Sequence, residues 1–125
     1  MDVHTLDHAV LYATDIDETC DFYERLGMER REFGDGRVAL HFGEHKLNLH
    51  QAGDEYDPHA RDPTPGAADF CLVTDDDVDD VAAELDDAGI DVVEGPVPRT
   101  GARGDLRSVY VYDPDGNLVE IAAYQ

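Results

Sequence analysis

An α+β fold of two tandem βαβββ modules, their strands forming a curved mixed sheet with the helices on its convex side, is what the sequence predicts. Three observations carry it. The stretch LDHAVLYATD at 6–15 returns as AADFCLVTDD at 67–76, each time a short apolar strand running into an acidic helix cap. Self-similarity of this kind is the mark of a repeated unit. Each copy leads into a segment with helical spacing that stops at a glycine, and then into three strand-like runs. At 125 residues the length is that of one domain, so two halves this short are expected to share an interior.

The elements follow in order. Residues 6–13 alternate as a strand does, and Asp15 with Glu18 three positions later reads as a capping-box variant. Ile16, Cys20, Tyr23 and Leu26 then fall on one helical face, and Gly27 supplies the left-handed stop. MERREF and RVALHF read as strands around the Asp35-Gly36 turn, and HKLNLHQ as the strand after Gly43-Glu44. The second half begins with a strand at 68–74 and a helix starting near Asp76 or Asp77, with Val78, Val81, Ala82, Leu85 and Ala88 inward and Gly89 as its end. DVVEGP, LRSVYVYD and NLVEIAAY supply the remaining strands, with PRTGARGD at 98–105 as a long loop and Asp113-Pro114-Asp115-Gly116 as the last tight turn. The boundaries are module one at about 4–53, a Pro-rich polar linker at about 54–66, and module two at about 67–125.

Charge excludes two classes of partner. Thirty acidic residues against nine basic ones leave a formal net charge of −21, and a field of that sign repels phosphate backbones and anionic lipid. No nucleic acid and no membrane partner is expected. The acids are spread through patterned segments, as on a hydrated, halophilic surface, and do not form one acidic tail. No leader-like or bilayer-length apolar run is present, which points to the cytoplasm. Cys20 and Cys71 lack zinc-type spacing and are expected as free thiols.

Overlaying the copies sets His8 against Asp69 and, through KLNLH and GNLVE, His50 against Glu120. Side chains alternate along a strand, so Leu49 and Ile121 belong under the helices. His8, His50, Asp69 and Glu120 are then free to meet on the uncovered face, where Asn48 also points. Two imidazoles with one or two carboxylates suit a divalent ion such as Mn, Fe, Co, Ni or Zn, with positions left open for substrate. Cys71 shares the parity of Asp69 and reads as a small hydrophobe. Arg99, Arg103 and Arg107 concentrate three of eight arginines in one segment; they can orient an anionic substrate or pair with neighbouring acids. Tyr110 and Tyr112, on one face of the penultimate strand, can wall a pocket or pack a core.

The segments LDHAVLYATDIDETCDFYERLGM, KLNLHQAG, EGPVPRTGARG and SVYVYDPDGNLVE resemble the vicinal oxygen chelate superfamily, which includes glyoxalase I, extradiol dioxygenases, fosfomycin-modifying enzymes and bleomycin-binding proteins. FGEHKLNLHQAG, PTPGAADFCLVTD and GPVPRTGARG are most similar to the glyoxalase domain-containing protein 5 type. The resemblance implies paired βαβββ modules, an open metal site and frequently a homodimer. It places metal ligands at His8, His50, Glu120 and Asp69, the last as either fourth ligand or general base. Asp69 stands where members with understood chemistry commonly carry histidine, and His50 where glyoxalase I carries an acid. Three functions are in view: a metal-dependent lyase or isomerase that chelates neighbouring oxygens of a small substrate, a non-haem iron dioxygenase, and a non-enzymatic binding protein.

Overall fold

The computed structural model describes all residues from 1 to 125. The chain divides into two compact units, Met1–Gly66 and Ala67–Gln125. In the first, β1 (His8–Ala13) leads to α1 (Ile16–Arg25), then β2 (Glu29–Phe33), β3 (Arg37–Phe42) and β4 (His45–Gln51). In the second, β5 (Asp69–Val73) leads to α2 (Val78–Asp87), then β6 (Glu94–Gly101), β7 (Gly104–Tyr112) and β8 (Leu118–Tyr124). Each unit is a βαβββ module with one four-stranded mixed sheet, in the order β1-β4-β3-β2 and β5-β8-β7-β6. No helix is long and apolar enough to cross a membrane.

The caps form where the sequence puts them. Asp15 accepts from the Glu18 amide at 3.1 Å and Asp77 from that of Asp79 at 2.8 Å, each satisfying an otherwise orphaned helix donor. Gly27 and Gly89 follow the helices with positive φ, the conformation a left-handed stop requires. The buried stripe of α2 is Val78, Val81 and Leu85, each side chain contributing about 1.5–3 kcal/mol on burial. Ala88, expected inward, is exposed: it is the C-cap residue, past the last helical turn. On α1 the buried residues are Thr19, Cys20, Phe22 and Tyr23, while Ile16 and Leu26 are only half-buried. Under the helices lie Leu11, Leu40, Leu47 and Leu49 in the first unit, and Val109, Val111, Val119 and Ile121 in the second.

One stretch differs from the expected loop. Residues 98–105 form a strand hairpin: β6 runs to Gly101, β7 starts at Gly104, and Pro98, Arg99 and Thr100 pair with Arg107, Leu106 and Asp105. Proline and glycine in PRTGARGD suggest a break, yet Pro98 lies on an edge strand, where a missing amide donor costs no ladder bond. At the other end of β6 the register shifts between Glu94 and Val97. There the backbone of Gly95 closes on β7 so tightly that a Cβ would stand 2.3 Å from the Ser108 carbonyl oxygen.

Candidate functional site

Each sheet has a helix face and a helix-free face, and the expected functional side chains lie on the latter. Strand register decides which of them are neighbours. In the second unit Cys71 pairs with Glu120, and Glu120 with Tyr110. Asp69 pairs with Leu118, and Leu118 with Tyr112. Asp69 and Glu120 thus belong to adjacent strands, offset by two positions, about 7 Å along the strand.

The corresponding register in the first unit corrects the expected overlay. His8 pairs with Lys46, Val10 with Asn48 and Tyr12 with His50. With His8 equivalent to Asp69, the residue equivalent to Glu120 is Asn48; His50 matches Ala122. The expected equivalence of His50 and Glu120 was out by two residues. Because a slip of two keeps every side chain on its face, the alternation pattern could not detect it. His8 and His50 lie four register positions apart, about 13 Å along the strands.

Glu120 is half-buried and one of its oxygens accepts from the Ser108 hydroxyl at 2.7 Å. Ser108 is fully buried and sits diagonally across the β7–β8 pair, opposite Ala122, whose small side chain leaves it room. Beside Glu120 the Cys71 thiol is pushed up to about 11, by burial first and then by the charge and hydrogen-bonding reach of Glu120; it is not poised as a nucleophile. Burial likewise raises the Tyr110 phenol, opposed by the hydrogen bond that Arg99 Nε donates to its oxygen at 2.9 Å.

The arginines are largely engaged by neighbours. Arg99 also reaches Glu94 at 3.4 Å, Arg107 on the helix face reaches Asp79 at 3.1 Å, and Arg103 lies over the Tyr124 ring at 4.3 Å. A cavity of about 410 Å³ opens at the β6–β7 hairpin, with Arg99, Asp105, Arg107 and Gln125 in its lining. Of its lining residues, Arg99 bonds Tyr110, the cross-strand neighbour of Glu120. Tyr112 is exposed on the helix-free face.

In the first unit, His8 Nδ1 is 2.8 Å from Asp7 Oδ1. In the tautomer that donates from Nδ1 to this carboxylate, Nε2 keeps its lone pair, the arrangement in which histidines ligate metals. His50 is almost wholly buried, edge-on to Tyr12 and Tyr56 at 5.4 and 5.5 Å between ring centres. Burial, then the charges of Arg37 and His59, lower its pKa, with Glu55 opposing. Its Nδ1 and the Oδ1 of Asn48 are buried without a hydrogen-bond partner. Arg37 stacks over Phe33 and Tyr56 at 5.0 and 4.6 Å, and Tyr12 is tied to the linker by the Ala60 amide at 2.9 Å.

In kind, each unit offers donors that a divalent ion accepts: an imidazole at His8 in the first, and in the second a half-buried carboxylate at Glu120 and an exposed one at Asp69. No group of three or more His, Cys, Asp or Glu side chains is gathered in a geometry that could hold an ion. Sequence reasoning missed Asp7, Ser108 and the aromatic setting of His50. Ser108 had a signal, as the polar residue sharing the parity of Tyr110 and Tyr112 in an otherwise Val- and Tyr-rich strand.

Comparison with known proteins agrees with this architecture. The glyoxalase domain-containing protein RDO1 of Mycosarcoma maydis is 52% identical over 125 residues, covering 100% of this chain and 71% of its own. The virulence protein STM3117 of Salmonella typhimurium is 50% identical, covering 99% of this chain and 87% of its own. Its crystal structure superposes with a TM-score of 0.98 over 100% of both chains at 49% identity. A lactoylglutathione lyase from Agrobacterium tumefaciens superposes with a TM-score of 0.74 at 26% identity, over 98% of this chain and 95% of that one. The sequence profile of the Glyoxalase/Bleomycin resistance protein/Dioxygenase superfamily matches residues 5–121, and the chain belongs to that superfamily.

Proposed function

We propose that the chain is a metal-dependent enzyme of the glyoxalase type, a lyase or isomerase acting on a small substrate with two neighbouring oxygens. The observation that carries this is the state of Glu120. It is a half-buried carboxylate with one oxygen anchored by Ser108, while the ion pairs of its unit are Arg99–Glu94 and Arg107–Asp79. Glu120, unlike Glu94 and Asp79, has no cationic side chain paired with it, so its carboxylate is available to a cation.

In this reading Glu120 and His8 bind the ion, and Asp7 holds His8 in the ligating tautomer. A divalent ion there supplies Lewis acidity toward the paired oxygens. Asp69 serves as a further ligand or as the base that moves a proton. Asn48, at the position equivalent to Glu120, offers a neutral amide that orients substrate without adding charge. Arg99, Arg103, Tyr110 and Tyr112 act on the substrate's remaining groups. The likeness to a lactoylglutathione lyase at 26% identity supports the reaction class and makes adducts of 2-oxoaldehydes with thiols the first substrates to assay.

The test is chelation and reconstitution. Dialysis against a chelator is expected to abolish turnover of such adducts, and a divalent ion to restore it. Glu120→Gln is expected to weaken ion affinity at least about tenfold, the scale of a lost ligand contact. Full turnover by chelated protein, or unchanged ion affinity in the variant, refutes the reading.

A further inference from the structure

We infer that Ser108 is a positioning residue for the ion-binding carboxylate, fixing the rotamer and the free oxygen of Glu120 from the neighbouring strand. The inference rests on the reading of Glu120 as a ligand and adds a residue that neither the repeat nor the family pattern marks.

The hydroxyl is 2.7 Å from Glu120 Oε2, a short contact typical of donation to a charged acceptor. Ser108 is 0% exposed, so no water competes for that hydrogen. Its own backbone is held on both sides, paired with Val97 of β6 and Ala122 of β8. The approach of Gly95, with space for no Cβ against the Ser108 carbonyl, locks β6 onto β7 at this residue.

A carboxylate has about four lone-pair positions. With Oε2 fixed by a buried donor, and the Cys71 thiol and Tyr110 phenol flanking the carboxylate within hydrogen-bonding reach, Oε1 becomes the natural ion contact, and the side chain no longer samples the rotamers a glutamate on a half-open sheet face would otherwise occupy. Pre-setting a ligand this way lowers the entropy lost when the ion binds, and partners of this kind are typically worth tenfold or more in metal affinity. In the first unit the corresponding diagonal position falls at Arg37, whose guanidinium stacks over Phe33 and Tyr56, and the Asn48 oxygen is left without a hydrogen-bond partner.

The experiment is a double-mutant cycle read by calorimetric titration of the full chain with cobalt(II), with folding of each variant checked by its melting curve. Ser108→Ala is expected to weaken cobalt binding about tenfold in the wild-type background and to have no further effect in Glu120→Gln, because the serine acts only through the carboxylate. The visible cobalt spectrum is expected to change in Ser108→Ala, since the ligand oxygen is no longer fixed. If Glu120→Gln loses cobalt while Ser108→Ala keeps full affinity, or if Ser108→Ala weakens binding equally in both backgrounds, the positioning role is overturned and the ligand role of Glu120 stands. If the wild type binds no cobalt, or Glu120→Gln binds it unchanged, the ligand reading fails and the positioning role falls with it.

Discussion

The two units share an element order, a sheet order and even a strand offset, yet their helix-free faces carry opposite chemistry. At equivalent register positions the first unit has His8 and Asn48 where the second has Asp69 and Glu120. Around them the first face is cationic and aromatic, with Arg37 over Phe33 and Tyr56 and with His50 set between two tyrosines. The second is a chain of polar side chains, Ser108 to Glu120 and Arg99 to Tyr110 and Glu94. Duplication therefore fixes where side chains project, and the substitutions since have made one half a carboxylate donor and the other an imidazole and amide donor. A backbone repeat is evidence about position and not about ligand identity.

The sharpest asymmetry is in the backbone, and breaking it has the largest expected effect. Gly95 has φ +102 and stands against the Ser108 carbonyl, so Gly95→Ala meets both a left-handed conformation and a steric wall. A loss on the order of 3 kcal/mol in unfolding free energy is expected. Gly53 in the first unit also has positive φ, 86°, but open space around it, and Gly53→Ala is expected to cost about 1 kcal/mol. Urea denaturation of the two variants measures the difference; equal losses would mean that the close strand approach at Ser108 adds nothing to stability.

The legible part of this molecule was its local grammar. Asp15 and Asp77 announced the helix starts and Gly27 and Gly89 the ends, because caps obey short-range chemistry. The strands RVALHF and HKLNLHQ coincide with β3 and β4, since alternation and turn glycines bound them on both sides. What escaped was cross-strand information. The pairing of Val10 with Asn48 is fixed by how β1 and β4 dock, and the sequence overlay had only parity to guide it. The Ser108–Glu120 bond is likewise a diagonal contact between strands. The hairpin at Arg99 was hidden because edge strands tolerate proline and glycine that would break a central one.

A smaller effect, of opposite sign, separates Asn48 from its equivalent. The Oδ1 of Asn48 is buried and unpartnered, a cost carried by the resting fold. Asn48→Leu keeps the branched shape and removes the orphan, so the protein is expected to gain about 1 kcal/mol of stability while kcat/KM falls. Chemical denaturation beside steady-state kinetics checks both at once. A loss of stability would show that this amide is already satisfied in solution and is part of the scaffold of the first unit.

The smallest expected effect is a pH slope, and it also belongs to one unit only. All six histidines lie in the first unit, and His50 is the one whose pKa is lowered from 6.5, by burial first and by Arg37 and His59 second, against Glu55. A lowered pKa means the folded chain resists a proton that the unfolded chain accepts. Above pH 6.5 both states hold the neutral ring and no penalty exists. As pH falls below 6.5 the unfolded chain gains protons first, so stability declines until the folded ring also titrates. His50→Phe keeps an aromatic edge between Tyr12 and Tyr56 and removes the titrating nitrogen. Melting temperatures of wild type and variant, followed from pH 7.5 to 5, are therefore expected to differ in slope, the wild type falling more steeply toward acid. Parallel curves would mean that the ring is hydrated in solution, and that the aromatic setting of the first unit does not exclude water as the contacts around Ser108 do in the second.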